Sequence, residues 1–379
     1  MPIRSCLKYK HILLIILALL ITIIVFGAKR TKFVETGNIT KEIIRNKQKY
    51  LLPDSRGLDY VLIKSNIYNK IRPRIVAIGS SRVLQFRESF FSKSFYNMGY
   101  TVGDIPAIKA TVNHMDKSHR PDLIIVGIDF WWFLKNYTLN PVYSGSKREG
   151  LSIKGILKYI FYPYFLWIKN ESNLAAFIES FYSPKITSDS RGTIHDGSFL
   201  YFDIIDGSSP HDVKFRKTEK RVHDCTSPFF SAREISKEHV EAFITYAKEL
   251  QAIARHVVYI MPPISNYIYR DMKSNENLYP HVFLLKKMLE DKGIRVFDYT
   301  DPLTVNSSDC EMIDGFHGGE ITYARLMLDL ARKDPEIQYA INAEYLSDSV
   351  KKFNGYAMIP DTSYFNGREV DFLELNCKK

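Results

Sequence analysis

The sequence predicts an α/β protein: a five-stranded parallel sheet with helices on both faces. Two observations carry this. Short apolar runs stopped by glycine, proline or polar residues recur along the chain, and segments of helical periodicity separate most of them. Strands joined by crossovers of that length pair in parallel. Arg74 to Ile78 is the first strand, followed by Gly79, and Ser94 to Asn97 is a shorter second one, ending at Gly99. Val102 to Met115 has helical spacing. Leu123 to Ile128 is the third strand, apolar throughout as befits the centre of a parallel sheet. Ser236 to Arg255 is an amphipathic helix with Ser236 as its N-cap, leading into a fourth strand, His256 to Met261, that Pro262-Pro263 stops. Helix Pro280 to Lys292 leads through Gly293 to a fifth strand, Ile294 to Tyr299, and Glu320 to Arg332 is the closing helix.

Four segments stand outside this alternation. Residues 1–30 hold a membrane anchor: Ile12 to Ala28 carries no charge, and at about 1.5 Å rise per residue it reaches the lower end of a bilayer span. No small-residue cleavage site follows, so a retained signal anchor is expected rather than a cleaved signal peptide. Arg4, Lys8 and Lys10 before the span nearly balance Lys29, Arg30 and Lys32 after it, so charge alone leaves its direction open. Residues 31–70 read as a polar, Lys-rich connector with weak helical character around Thr40 to Tyr50. Residues 131–235 interrupt the α/β unit (71–333) after the third strand with an aromatic-rich insertion, which we read as a substrate-facing cap. Within it Arg191 to Ser198 is rich in turn residues, His195 and Asp196 among them. Residues 334–379 form a C-terminal extension with no assigned place.

Composition bounds the rest. At 379 residues there is room for one large domain with insertions, or for two. The 24 Tyr and 24 Phe suit a Phe-rich core, sugar-stacking surfaces or membrane-facing patches. A net charge of +10 favours anionic lipid head groups or an anionic glycan. No basic helix or basic-aromatic module stands out, which disfavours nucleic acid. Of the cysteines, Cys6 lies on the far side of the span from Cys225, Cys310 and Cys377, so at most one bridge forms in the globular part. No metal spacing appears, His211, His223 and His239 read as surface residues, and no phosphate-binding glycine loop follows the first strand. Neither a metal nor a cofactor is expected.

Two short motifs carry chemistry. Gly79-Ser80-Ser81-Arg82 directly follows the first strand, where ligands of open α/β sheets bind. Asp314-Gly315-Phe316-His317 directly precedes a helix, placing a histidine base three residues after a carboxylate that can orient it. With Gly99 in Asn97-Met98-Gly99 after strand two, and Gly127-Ile128-Asp129 after strand three, the order and placement of these blocks resemble the SGNH (GDSL-like) hydrolase superfamily. The resemblance covers about residues 72–332 outside the insertion. It departs from the family at Ser80, where an aspartate is usual, and at Asp129, where an asparagine is usual.

The resemblance implies a flavodoxin-like three-layer α/β/α sandwich and a Ser-His-Asp site. Ser81 would be the nucleophile, His317 the general base and Asp314 the residue that orients it. The backbone N–H groups of Ser81 and Gly99 would form the oxyanion hole, with the residue at position 129 as third donor. An ionised Asp129 cannot donate. Either it is protonated or turned away, or another donor such as Arg82 takes its place; alternatively Arg82 neutralises it. With the anchor, the pattern looks like membrane-tethered proteins that modify bacterial cell-surface polymers, of the teichoic acid D-alanyl transfer and alginate O-acetylation type. That implies esterase or O-acyltransferase chemistry at the outer face of the cytoplasmic membrane. The substrate would be an acylated glycan or polyol-phosphate polymer, and a multi-spanning O-acyltransferase would often be a partner. A catalytically inactive glycan-binding scaffold is the alternative.

Overall fold

The computed structural model describes residues 40–41, 43–44, 60–135, 137, 191–232, 234–364 and 367–379. The expected membrane anchor and much of the insertion lie outside these residues. Among the described helices none is long and apolar enough to cross a membrane.

Five parallel strands form the central sheet: β1 (Ile75–Ile78), β2 (Phe95–Met98), β3 (Leu123–Gly127), β6 (His256–Met261) and β7 (Val296–Asp298). Their order is β2-β1-β3-β6-β7, that of flavodoxin-like doubly wound sheets. Ile75 pairs with Phe95 on one side and Leu123 on the other, which fixes the register of the sheet's centre. The central strands β1 and β3 are apolar without alternation because both faces are covered. Val76, Ile78, Ile124, Val126 and Tyr259 join one core with helices α1 (Tyr60–Ile71), α2 (Ile105–His114) and α4 (Lys237–Ile253). Ile75, Ala77, Ile125, Val258 and Ile260 join a second core with α7 (Glu320–Lys333). Two separate cores on the two faces make three layers.

The helices begin where their caps dictate. Asp104 accepts the Ala107 N–H at 2.8 Å to open α2, and Ser236 accepts that of His239 at 3.2 Å to open α4, as its sequence predicts. The expected helix 280–292 is interrupted at Leu284, giving Pro280–Phe283 and α6 (Leu285–Glu290).

Two expected boundaries move. Residues 60–70 are not connector, because α1 buries Tyr60, Ile63 and Ile67 at helical spacing against the domain. Lys64 and Ser65 are buried on the same face, and these polar residues hide the stripe in the sequence. Residues 334–379 are part of the domain as well. They form α8 (Pro335–Ala340) and α9 (Ala343–Lys352), bury Leu346, Met358 and Phe372, and end in a disulfide between Cys377 and Cys310. The described part of the insertion contains a hairpin, β4 (Arg191–Thr193) with β5 (Phe199–Tyr201), and helix α3 (Arg216–His223). Helix α5 (Asn266–Ser274) follows β6.

The hairpin docks on the carboxyl ends of β1 and β2. Phe199 N–H donates to Leu84 O at 3.2 Å, and Asn97 N–H to Asp196 O at 2.7 Å. At its tip Gly197 has φ +80°, and a Cβ there would fall 2.1 Å from the Asn97 carbonyl oxygen, so only glycine permits the approach.

Candidate functional site

Doubly wound sheets open a crevice at the carboxyl edge where the strand order reverses, here between β1 and β3. Ser81 follows β1 into a single 3-10 turn, Ser81–Val83. Ser80 caps that turn, its Oγ accepting the Arg82 N–H at 3.2 Å, and is buried; Ser81 is partly exposed. Ser81 therefore carries the hydroxyl that solvent reaches. From α7 the Tyr323 hydroxyl donates to the Arg82 carbonyl and pins the turn to the second core.

Opposite stands the loop Asp314 to His317. Asp314 Oδ1 accepts the N–H groups of Phe316 and His317, each at 2.7 Å, and Ile313 N–H donates to His317 O at 2.9 Å. Asp314 Oδ2 lies 2.8 Å from His317 Nδ1, so one carboxylate both shapes the loop and orients the ring. His317 Nε2 is 2.9 Å from Ser81 Oγ. With the Nδ1 proton held toward Asp314, Nε2 is left to accept a proton from Ser81. Burial alone would raise the pKa of Asp314. The His317 ring and the N–H donors outweigh it and hold the carboxyl below its usual range.

The loop is packed from the insertion. Asp212 Oδ2 accepts the Gly315 N–H at 3.3 Å and the Thr218 hydroxyl at 2.5 Å, and a Cβ on Gly315 would fall 2.6 Å from Thr218 Cβ. Glycine there is a packing requirement. Phe316 lies between two guanidinium groups, Arg82 at 5.0 Å and Arg221 at 5.8 Å, and its ring meets that of His317 edge-on at 4.9 Å. Burial lowers the pKa of Arg221, against the neighbouring Asp314 and Asp212 charges.

The oxyanion donors differ from expectation. The Ser81 N–H has no acceptor among the described residues. The Gly99 N–H instead donates to Asn97 Oδ1 at 2.7 Å, deep in the protein. Asp129 is sealed from solvent, and its Oδ1 accepts from Arg82 Nη1 at 3.1 Å, while Oδ2 has no hydrogen bond among the described residues. Burial raises its pKa to about 6, opposed chiefly by the Arg82 charge and also by the Ser80 hydroxyl and His317. Arg82 is itself 2% exposed and donates to the Pro262 carbonyl. Of the two alternatives, Arg82 neutralises Asp129; it does not reach the site as a free donor. Both side chains belong to the wall between β1 and β3.

The chain matches no family model, no curated protein and no solved structure.

Sequence reading missed Asn97. Its Nδ2 donates to the carbonyls of Val83 and Phe86 at 2.8 and 3.1 Å, tying the serine turn to β2. An amide ending a buried strand just before Gly99 was the available signal. Asp212 and Arg221 gave none, because their roles arise from an insertion folding back. Asp196 is a turn residue, accepting the N–H groups of Ser198 and Glu88, and His195 contacts Tyr364 and Glu88. His223 and His239 pair with Asp271 and the Trp132 carbonyl. No cluster among the described residues is arranged to hold a metal.

Proposed function

We propose that this chain is a serine-dependent ester hydrolase or O-acyltransferase of the SGNH type. In this reading it is anchored by residues 12–28 and acts outside the cytoplasmic membrane on acyl groups of a bacterial cell-surface polymer. The observation that carries it is the relay Ser81 Oγ–His317 Nε2–Asp314, with both links in hydrogen-bond range. Ser81 Oγ attacks the acyl carbonyl while His317 Nε2 takes its proton. Asp314 stabilises the imidazolium and keeps its orientation. The Ser81 N–H supports the developing oxyanion. Collapse expels the alcohol, protonated by His317, and leaves acyl-Ser81. Water or a glycan hydroxyl, deprotonated in turn by His317, then takes the acyl group.

A second reading is favoured by one observation. With the Gly99 N–H committed to Asn97 and Asp129 to Arg82, the Ser81 N–H is the one expected oxyanion donor left uncommitted among the described residues. That suits an inactive scaffold that binds a polymer or an acyltransferase. A fluorophosphonate probe and a chromogenic acetate ester, applied to the full chain, separate the two. The enzyme gives labelling and turnover that vanish in Ser81→Ala and His317→Ala; the scaffold gives neither. Labelling that survives in Ser81→Ala would assign the chemistry to another serine.

A further inference from the structure

A cleft of about 430 Å³ lies between the start of α3, the start of α5 and the C-terminal tail. Its open ring is Tyr267, 45% exposed and backed by the buried Phe215, which stands 6.2 Å from it at an interplanar angle of 34°. The Tyr267 hydroxyl donates to Glu219, which fixes the ring while part of it stays open to solvent. Around it stand Lys214, Arg216, Glu374 and Asn376, whose side chains have no hydrogen-bond partner among the described residues. An exposed aromatic surface ringed by both donors and acceptors is the chemistry that holds a sugar: C–H groups stack on the ring and hydroxyls bond to the rim.

Backbone conformation singles out the same cleft. Lys214, Phe215, Glu374 and Asn376 have φ of 51°, 59°, 54° and 62°, four of the eight left-handed non-glycine residues described. Bulky residues avoid that region, and such conformations gather where function over-determines them. The tail is held in place at both ends. Lys214 N–H donates to Leu373 O at 2.8 Å, and Cys377, next to Asn376, is bonded to Cys310, next to Asp309. Asp309 in turn accepts the N–H groups of Asn266 and Tyr267 at 2.6 and 3.1 Å.

The cleft is also joined to the Asp314–His317 loop. Asp212, two residues before Lys214, holds the Gly315 N–H, and Ser265, two residues before Tyr267, donates to the Gly315 carbonyl at 3.1 Å. We propose that this cleft is a subsite for a neutral pyranose unit of the polymer whose acyl group is transferred at Ser81. The proposal rests on the esterase or acyltransferase reading for its link to Ser81. Glu219, Asp309 and Glu374 beside Lys214 and Arg216 give a rim of mixed sign, which selects a neutral polyhydroxylated ring over a polyol phosphate. The volume falls in the roughly 300–1,000 Å³ range of small-ligand sites, enough for a short saccharide.

The test uses the full chain in a sugar-free polyoxyethylene detergent, titrated with cellotetraose, chitotetraose and maltotetraose by saturation-transfer NMR. Binding of at least one is expected, with affinity falling roughly tenfold in Tyr267→Ala through loss of the ring. Glu374→Ala is expected to weaken binding as well, with less risk to the fold because its side chain has no hydrogen-bond partner among the described residues. Fluorophosphonate labelling of Ser81 is expected to be unchanged in both variants. No binding by any of the three sugars, or binding undiminished in both variants, overturns the subsite. A glycerol-phosphate oligomer that binds in preference to every sugar overturns it too. Loss of labelling in the wild type with binding intact would reject the enzyme and keep the subsite.

Discussion

Arg82 and Asp129 are each about 1% exposed at the side chain and 3.1 Å apart, so neither charge has water to fall back on. Removing one partner strands the other, at a cost of about 3–5 kcal/mol for a buried pair. Arg82→Ala and Asp129→Ala are each expected to destabilise by that order in urea unfolding. The double variant is expected to lose less than the sum, by roughly 1–3 kcal/mol of coupling. Strict additivity would show that the pair is not coupled. At this scale the sequence was legible for residues whose partners are near in the chain or at strand ends. Asp314 and His317 sit three apart on one loop, and Ser81 sits at the end of an apolar run. The committed Gly99 N–H was not legible, because it depends on the rotamer of Asn97, two residues away and fully buried.

Helix α1 shows what element-level packing adds. Its Lys64 is 1% exposed and donates to the carbonyls of Asn97 at 3.1 Å and Gly197 at 2.7 Å, joining helix, β2 and hairpin. Two acceptors match the two N–H donors of a neutral amine, and burial, partly offset by the Asp196 charge, lowers its pKa to about 7. The unfolded chain binds this proton below about 10.4, whereas the native state binds it only below about 7. Between these values the unfolded state holds more protons, so stability contributed by Lys64 rises with pH and is lost as pH falls toward 7. The slope is of order 1 kcal/mol per pH unit. Urea unfolding of wild type minus Lys64→Met from pH 7.5 to 9.5 is expected to show that slope. A flat difference would mean the amine stays charged in the fold. The central strands β1 and β3 were readable because a sheet covered on both faces makes continuous apolar runs. Helix α1 was not, since a lysine pointing inward breaks the pattern that marks a buried face.

For the molecule as a whole, the Cys310–Cys377 disulfide is the one covalent cross-link among the described residues, and it ties the tail back to the sheet domain. Cys310 and Cys377 are 67 residues apart in sequence, so the bridge closes a long loop that takes in α7, α8, α9 and the tail wall of the aromatic cleft. Closing a loop of that length removes unfolded-state entropy worth roughly 4 kcal/mol, if the native geometry is unstrained. Cys310→Ser/Cys377→Ser is therefore expected to lower stability by about that amount, seen as a lower urea midpoint with an altered slope. The effect on the two sites differs. Asp314 and His317 take their positions from hydrogen bonds within their own loop and from Asp212, all outside the tail. Ser81 labelling at 25 °C is expected to persist. Glu374 and Asn376 hold left-handed conformations between the disulfide and the Lys214 N–H, so losing the bridge frees one end of that wall. Saccharide binding is expected to weaken in the same variant. Equal loss of labelling and sugar binding would show instead that the tail supports the domain as a single cooperative unit. A bridge of this kind persists in oxidising surroundings.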